Sequence, residues 1–120
     1  MSASELQKKI ERFNYCDARV LHLNCDYFAD EISLAFEDDG CEVTYSFLGC
    51  YKSIFDHVKN YDKLRPVREM TLAQIPYFIQ SINVDEIIED GVNFYTCSLN
   101  MFPLYMDIWC KDIAVSSKVL

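Results

Sequence analysis

The stretch FEDDGCEVTYSF, residues 36–47, decides how this chain folds. Glu37, Asp38 and Asp39 precede Gly40, and apolar residues alternate with polar ones on both sides. Asp-Gly between alternating runs predicts a two-residue hairpin loop, because a type I′ turn needs positive φ at both central positions. That loop length sets a register. Asp38 faces Cys41, Glu37 faces Glu42, Phe36 faces Val43, Leu34 faces Tyr45 and Ile32 faces Phe47. The last three pairs are apolar and share one face, while Ser33, Ala35, Glu37, Glu42, Thr44 and Ser46 share the other. Pattern and turn chemistry agree, as they must where one face is buried. The Glu37–Glu42 opposition is a small flaw, since like charges directly opposite repel. A calcium loop would need oxygen ligands at alternate positions over about twelve residues, ending in a bidentate Glu. Here the acids are consecutive and a strand follows at once, so the cluster reads as a solvated hairpin tip.

Upstream, Ser2 and Glu5 fit capping-box spacing, and Leu6, Ile10 and Phe13 form one apolar stripe, which predicts an N-terminal helix. ARVLHLNC (18–25) reads as a strand with Leu21, Leu23 and Cys25 on one face. Downstream, Ile54, Val58 and Tyr61 at helical spacing, with Ser53 and Asp56 as a cap, favour a short helix over 51–62. A strand continuing from residue 47 is the alternative. KLRPVREM reads as a loop, and TLAQ as a helical turn limited by Pro76. FIQSINVDEII, then Asp90-Gly91, then VNFYTCSL predicts a second hairpin. In LYMDIWCKDIAV, Leu104, Met106, Ile108 and Cys110 alternate with Tyr105, Asp107, Trp109 and Lys111. The expectation is an α+β fold: five to six strands in a mostly antiparallel meander sheet, with an N-terminal helix and a second short helix. At 120 residues the chain is expected to form one domain, 1–120.

The opening residues lack the apolar run of an export signal, and no stretch approaches the ~18 apolar residues of a membrane span. A soluble, cytoplasmic protein is expected. The six cysteines (16, 25, 41, 50, 97, 110) form no CxxC pair, so neither a zinc site nor a disulfide framework is favoured. Most fall in apolar runs and read as buried, reduced thiols. Net charge is −8, and its distribution says more. Val20–Tyr51 holds seven acids and Glu69–Cys110 holds six, with no lysine or arginine in either block. Such a surface disfavours nucleic acid and suits a basic partner.

No phosphate-binding glycine loop, HExxH or GxSxG motif is present. His22 and His57 are the two histidines, and neither has a local signature pairing it with a nucleophile. No catalytic residue, metal ligand or cofactor is assigned. Tyr105 and Trp109 alternate with the core set and can lie on an outer sheet face, where large aromatics amid acids suit protein binding. A covering helix is the alternative there.

Phe13, Asp17, Ala18 and Val20 form a Phe-x-x-x-Asp-Ala-x-Val segment at the start of the first strand, with antiparallel strands following. In this the chain resembles small bacterial immunity proteins of contact-dependent inhibition and polymorphic toxin systems, with Cys16 where they often carry His. The resemblance implies a cytoplasmic protein without an active site that blocks a secreted toxin domain, often a basic nuclease, by stoichiometric binding. Glu37, Asp38, Asp39, Glu42, Glu89, Asp90, Tyr105 and Trp109 are the residues expected to meet that toxin. Two other readings stay open: a small enzyme built from scattered Cys, His and acidic residues, and a structural or adaptor homodimer formed through an edge strand.

Overall fold

The computed structural model describes residues 1–61 and 65–120. Both Asp-Gly turns form as the local chemistry requires. Asp39 and Gly40 adopt φ 48° and 77°, and strands β2 (Glu31–Asp38) and β3 (Cys41–Leu48) pair in the register derived above, from Asp38–Cys41 to Ile32–Phe47. Asp90-Gly91 joins the second hairpin in the same way. The N-terminal helix α1 (Ala3–Glu11) begins at Ser2, whose hydroxyl accepts the Glu5 N–H at 3.1 Å while the Glu5 carboxylate accepts the Ser2 N–H at 3.2 Å. These two bonds hold the exposed Glu5 carboxyl below its ordinary range. Leu6 and Ile10 are fully buried, and Phe13 packs on the core just past the helix end.

The strand count departs from the expectation of five to six. Eight strands form two four-stranded antiparallel sheets instead of one meander. The first sheet runs β1 (Val20–Asp26), β2, β3, β8 (Asp112–Val119); the second runs β4 (Lys52–His57), β7 (Leu104–Cys110), β6 (Val92–Met101), β5 (Ser81–Glu89). Two local readings account for the difference. The short helix expected over 51–62 is strand β4, which pairs with β7 from Lys52–Trp109 to His57–Leu104. Its last expected residue, and the start of the KLRPVREM loop, lie outside the described residues. The expected terminal strand is also two strands, because Lys111 turns the chain out of the second sheet and into the first.

Both corrections have one physical cause. The β3/β8 pair and the β4/β7 pair form one ribbon that crosses between sheets at 49–51 and at Lys111. Backbone bonds hold the crossing: Lys111 N–H donates to the Leu48 carbonyl at 2.9 Å, and Tyr51 N–H donates to the Trp109 carbonyl at 2.8 Å. Gly49 sits at the bend with φ 63°, where a Cβ would approach the Lys111 side chain to 3.0 Å. A side chain there would be strained in conformation and in space. Helical spacing in 51–61 thus loses to a long-range pairing partner, which no local period reports.

The strand over 18–25 also needs one correction. A bulge between Val20 and His22 makes Leu21 the extra residue, so Val20, Leu23 and Cys25 oppose Phe36, Leu34 and Ile32 on the inner face. TLAQ does form a short helical turn, Leu72–Gln74, and a second lies at Val67–Glu69.

Inner faces of both sheets meet in one core with Tyr45, Phe36, Phe47, Ile32, Ile108 and Leu99 at its centre. Helix α1 closes one open side. The Gln7 side-chain amide donates to the Ile82 carbonyl at 2.8 Å and accepts the Val84 N–H at 2.7 Å, so it satisfies the β5 edge as a neighbouring strand would. The Tyr45 hydroxyl donates to the Ile10 carbonyl at 2.7 Å, tying the helix end to the first sheet. On the other side, residues 77–79 bond to Ala18 and Val20 beside the start of β1.

Candidate partner-binding surface

Acidic groups sit where strands end. At the β2–β3 tip Glu37 and Asp39 are exposed, while the Asp38 carboxylate accepts the Asn14 N–H at 3.1 Å. Glu42 is different again. Its side chain is 15% exposed and lies 3.3 Å from Lys118 Nζ and 3.6 Å from His22 Nε2. Strand β8 places Lys118 directly opposite Glu42, and this offsets the Glu37–Glu42 repulsion that the hairpin alone would carry. Glu89 and Asp90 are exposed at the β5–β6 tip.

These residues do not converge on one spot. The β2–β3 tip is separated from the sheet crossing by the eight residues of β3, about 26 Å at the usual strand rise. Trp109 lies at that crossing, and Tyr105 four positions back along β7. Both aromatics do lie on the outer face of the second sheet, opposite the buried Leu104, Met106, Ile108 and Cys110. Helix α1 packs on the β5 and β8 side. Trp109 is half-buried, with the Tyr51 ring stacked at 6.4 Å and Lys52 Nζ 4.8 Å from its centroid. Lys111 Nζ lies 4.5 Å over Phe94 in the same cluster, so this corner is locally basic. Tyr105 is 42% exposed and pairs in register with Asp56.

The histidines meet in an unforeseen way. His22 and His57 line one cavity of about 270 Å³ between the β1 and β4 edges, with Tyr77 and the apolar Val20, Met101 and Leu104. His57 Nε2 is 2.9 Å from the Tyr77 hydroxyl. No cysteine or carboxylate is among the described residues lining it. The cavity therefore joins two bases and a phenol without the nucleophile that acyl or thiol chemistry requires. Among the described residues no three Cys, His, Asp or Glu side chains gather as a metal would need, and no helix is long and apolar enough to cross a membrane.

All six cysteines are free, but only some are buried as expected. Cys97 and Cys110 are buried, Cys41 and Cys50 are half-buried, and Cys16 and Cys25 are exposed. Burial pushes the Cys110 thiol up to about 12 and Cys50 up to about 11, and raises Cys97 as well. A folded-state value above the unfolded one means stability that is complete below the unfolded value of 9.0 and lost as pH rises toward 12. Each fully buried thiol steepens that loss by about 1.4 kcal/mol per pH unit. Urea unfolding of Cys110→Ala from about pH 8 to about pH 11 should show the shallower decline. An alkaline slope identical to wild type would mean Cys110 ionises freely in the folded chain.

The described residues form a sandwich of two antiparallel sheets around one core, with carboxylates at the hairpin tips and aromatics on an outer face. The comparisons place the chain more closely. A family model described as Immunity protein PIM7 matches residues 2–117, and the chain belongs to that family. It is an immunity protein of a toxin system, and its role is to neutralise a toxin. No curated protein matches the chain.

Proposed function

We propose that this chain acts in the cytoplasm, without catalysis of its own, by binding a basic toxin domain stoichiometrically. A nuclease domain fits best, because an enzyme that holds nucleic acid presents the positive field that these carboxylates complement. One observation carries the proposal. Among the described residues the ion pairs converge on Glu42, which leaves Glu37, Asp39, Glu89 and Asp90 exposed without a paired cation. Tyr105, beside Asp56, suits the same partner, whereas the Trp109 corner carries Lys52 and Lys111 and suits it less well.

Co-expression with the toxin domain encoded by the adjoining gene tests this. A complex of equal stoichiometry and protection of the cells are the expected results. Unprotected cells and no complex with that domain would sink the proposal.

The enzyme reading draws on the cavity between His22 and His57, but no cysteine, serine or carboxylate is among the described residues lining it, and the one carboxylate paired with His22, Glu42, is also held by Lys118. The homodimer reading needs a bare sheet edge. Gln7 caps part of β5 and residues 77–79 cover the start of β1, so among the described residues β4, β8 and the remainders of β1 and β5 are the edges open to it. Solution mass decides that reading.

A further inference from the structure

The β1–β2 hairpin closes over Tyr27-Phe28-Ala29-Asp30, and its chemistry differs from that of the two Asp-Gly tips. Tyr27, Phe28 and Ala29 are left-handed in succession, with φ 52°, 58° and 68°. None is glycine or asparagine, the residues that adopt this conformation cheaply. Two of the three are large aromatics pointed at water: Tyr27 is 73% exposed and Phe28 109%. Neither ring finds an aromatic or hydrogen-bonding partner among the described residues. The fold thus bears three successive left-handed non-glycine residues and two hydrated rings. Outliers of this kind gather where a protein meets a partner.

The tip is also held firmly. Asp30 N–H donates to the Tyr27 carbonyl at 3.1 Å, and Cys50 N–H at the sheet crossing donates to the Asp30 carbonyl at 2.8 Å. Asp26 pairs with Glu31 beneath the loop. A rigid loop loses little freedom on binding, and a projecting Tyr-Phe pair supplies the anchor type that dominates interface energetics. The loop is flanked along the chain by Asp26, Asp30 and Glu31, with no paired cation among the described residues.

We infer that Tyr27 and Phe28 are the anchor that fills an apolar pocket on the toxin domain, a pocket rimmed by lysine or arginine that meets Asp26, Asp30 and Glu31. The inference rests on the toxin-neutralising role and names its contact. The same three carboxylates argue against the other uses of an aromatic tip. They repel anionic lipid headgroups, and in a symmetric contact with a second copy they would face one another.

The test uses the full chain and the toxin domain of the adjoining gene, with Kd measured for wild type, Tyr27→Ala and Phe28→Ala. Each variant is expected to weaken the complex about thirty-fold or more and to lose protection of cells, with Tm unchanged or raised. Ala29→Gly keeps both rings and relieves one left-handed residue; it should raise Tm while holding Kd within about tenfold of wild type. If wild type binds the toxin and both alanine variants bind as well, the anchor is wrong and the neutralising reading stands. If wild type binds no toxin and gives no protection, both fall. Two further results would reassign the tip: wild type sedimenting with phosphatidylglycerol vesicles where Phe28→Ala does not, or a wild-type dimer that Phe28→Ala dissolves.

Discussion

Tyr45→Ala is expected to cost about 3–5 kcal/mol, as truncating a large buried aromatic does elsewhere. Tyr45 is completely buried, its ring packs against Phe36 at 5.1 Å, and its hydroxyl donates to the Ile10 carbonyl at the end of α1. Truncation therefore opens a cavity in the first sheet and removes one donor to the Ile10 carbonyl, which keeps the Phe13 N–H at 3.4 Å. Against a typical stability of about 5–15 kcal/mol, a loss of that size brings the chain close to unfolding. Tyr45→Phe separates the two contributions. It keeps the ring, removes the bond to Ile10, and should cost about 1–2 kcal/mol. Urea unfolding of the three proteins gives the comparison directly. A Tyr45→Ala midpoint within error of wild type would mean that this ring does not join helix to sheet.

The second large effect concerns capture of the toxin. Glu37→Lys with Asp39→Lys should slow association about tenfold or more at low salt, with a much smaller change in dissociation. The structure chooses these two positions from the acidic run. Asp38 holds the Asn14 N–H and Glu42 is paired with Lys118, so reversing either would disturb the fold as well as the field. Glu37 and Asp39 are exposed and can be reversed without loss of a described contact. Raising salt to about 1 M, where the Debye length is about 3 Å, should bring the variant and wild-type rates together. Stopped-flow association across a salt series reads both effects. A wild-type rate that does not change with salt would remove steering from the account.

The steering acids and the aromatic tip divide the task in physical terms. On the proposed reading, screened charge at the β2–β3 and β5–β6 tips would act over about a Debye length and set encounter, whereas Tyr27 and Phe28 would act on contact and set residence. The two variants should therefore separate by kinetics: slower association for the charge reversals, faster dissociation for the ring truncations.

Local chemistry determined the parts of this protein that short segments can specify alone. Asp39-Gly40 and Asp90-Gly91 impose left-handed turns, two-residue loops fix registers, and alternation assigns Phe36, Val43, Leu34 and Tyr45 to the core. Ser2 and Glu5 start the helix by the same kind of neighbour-to-neighbour bonding. The Phe13-Asp17-Ala18-Val20 segment also led to the right family. Only the tertiary structure decided that residues 52–57 are strand, because their partner β7 lies some fifty residues away and the helical spacing of Ile54, Val58 and Tyr61 competes locally. It alone paired Glu42 with Lys118, brought His22 and His57 to one cavity, and split the terminal strand at Lys111. The Tyr27-Phe28 tip belongs to the same class. In DYFADE the left-handed positions fall on Tyr27, Phe28 and Ala29 and not on either Asp, so nothing local announces a left-handed loop at those three residues. Its shape is imposed by the pairing of β1 with β2 and by the Asp30–Cys50 bond at the crossing, contacts that exist only once the sheets have formed.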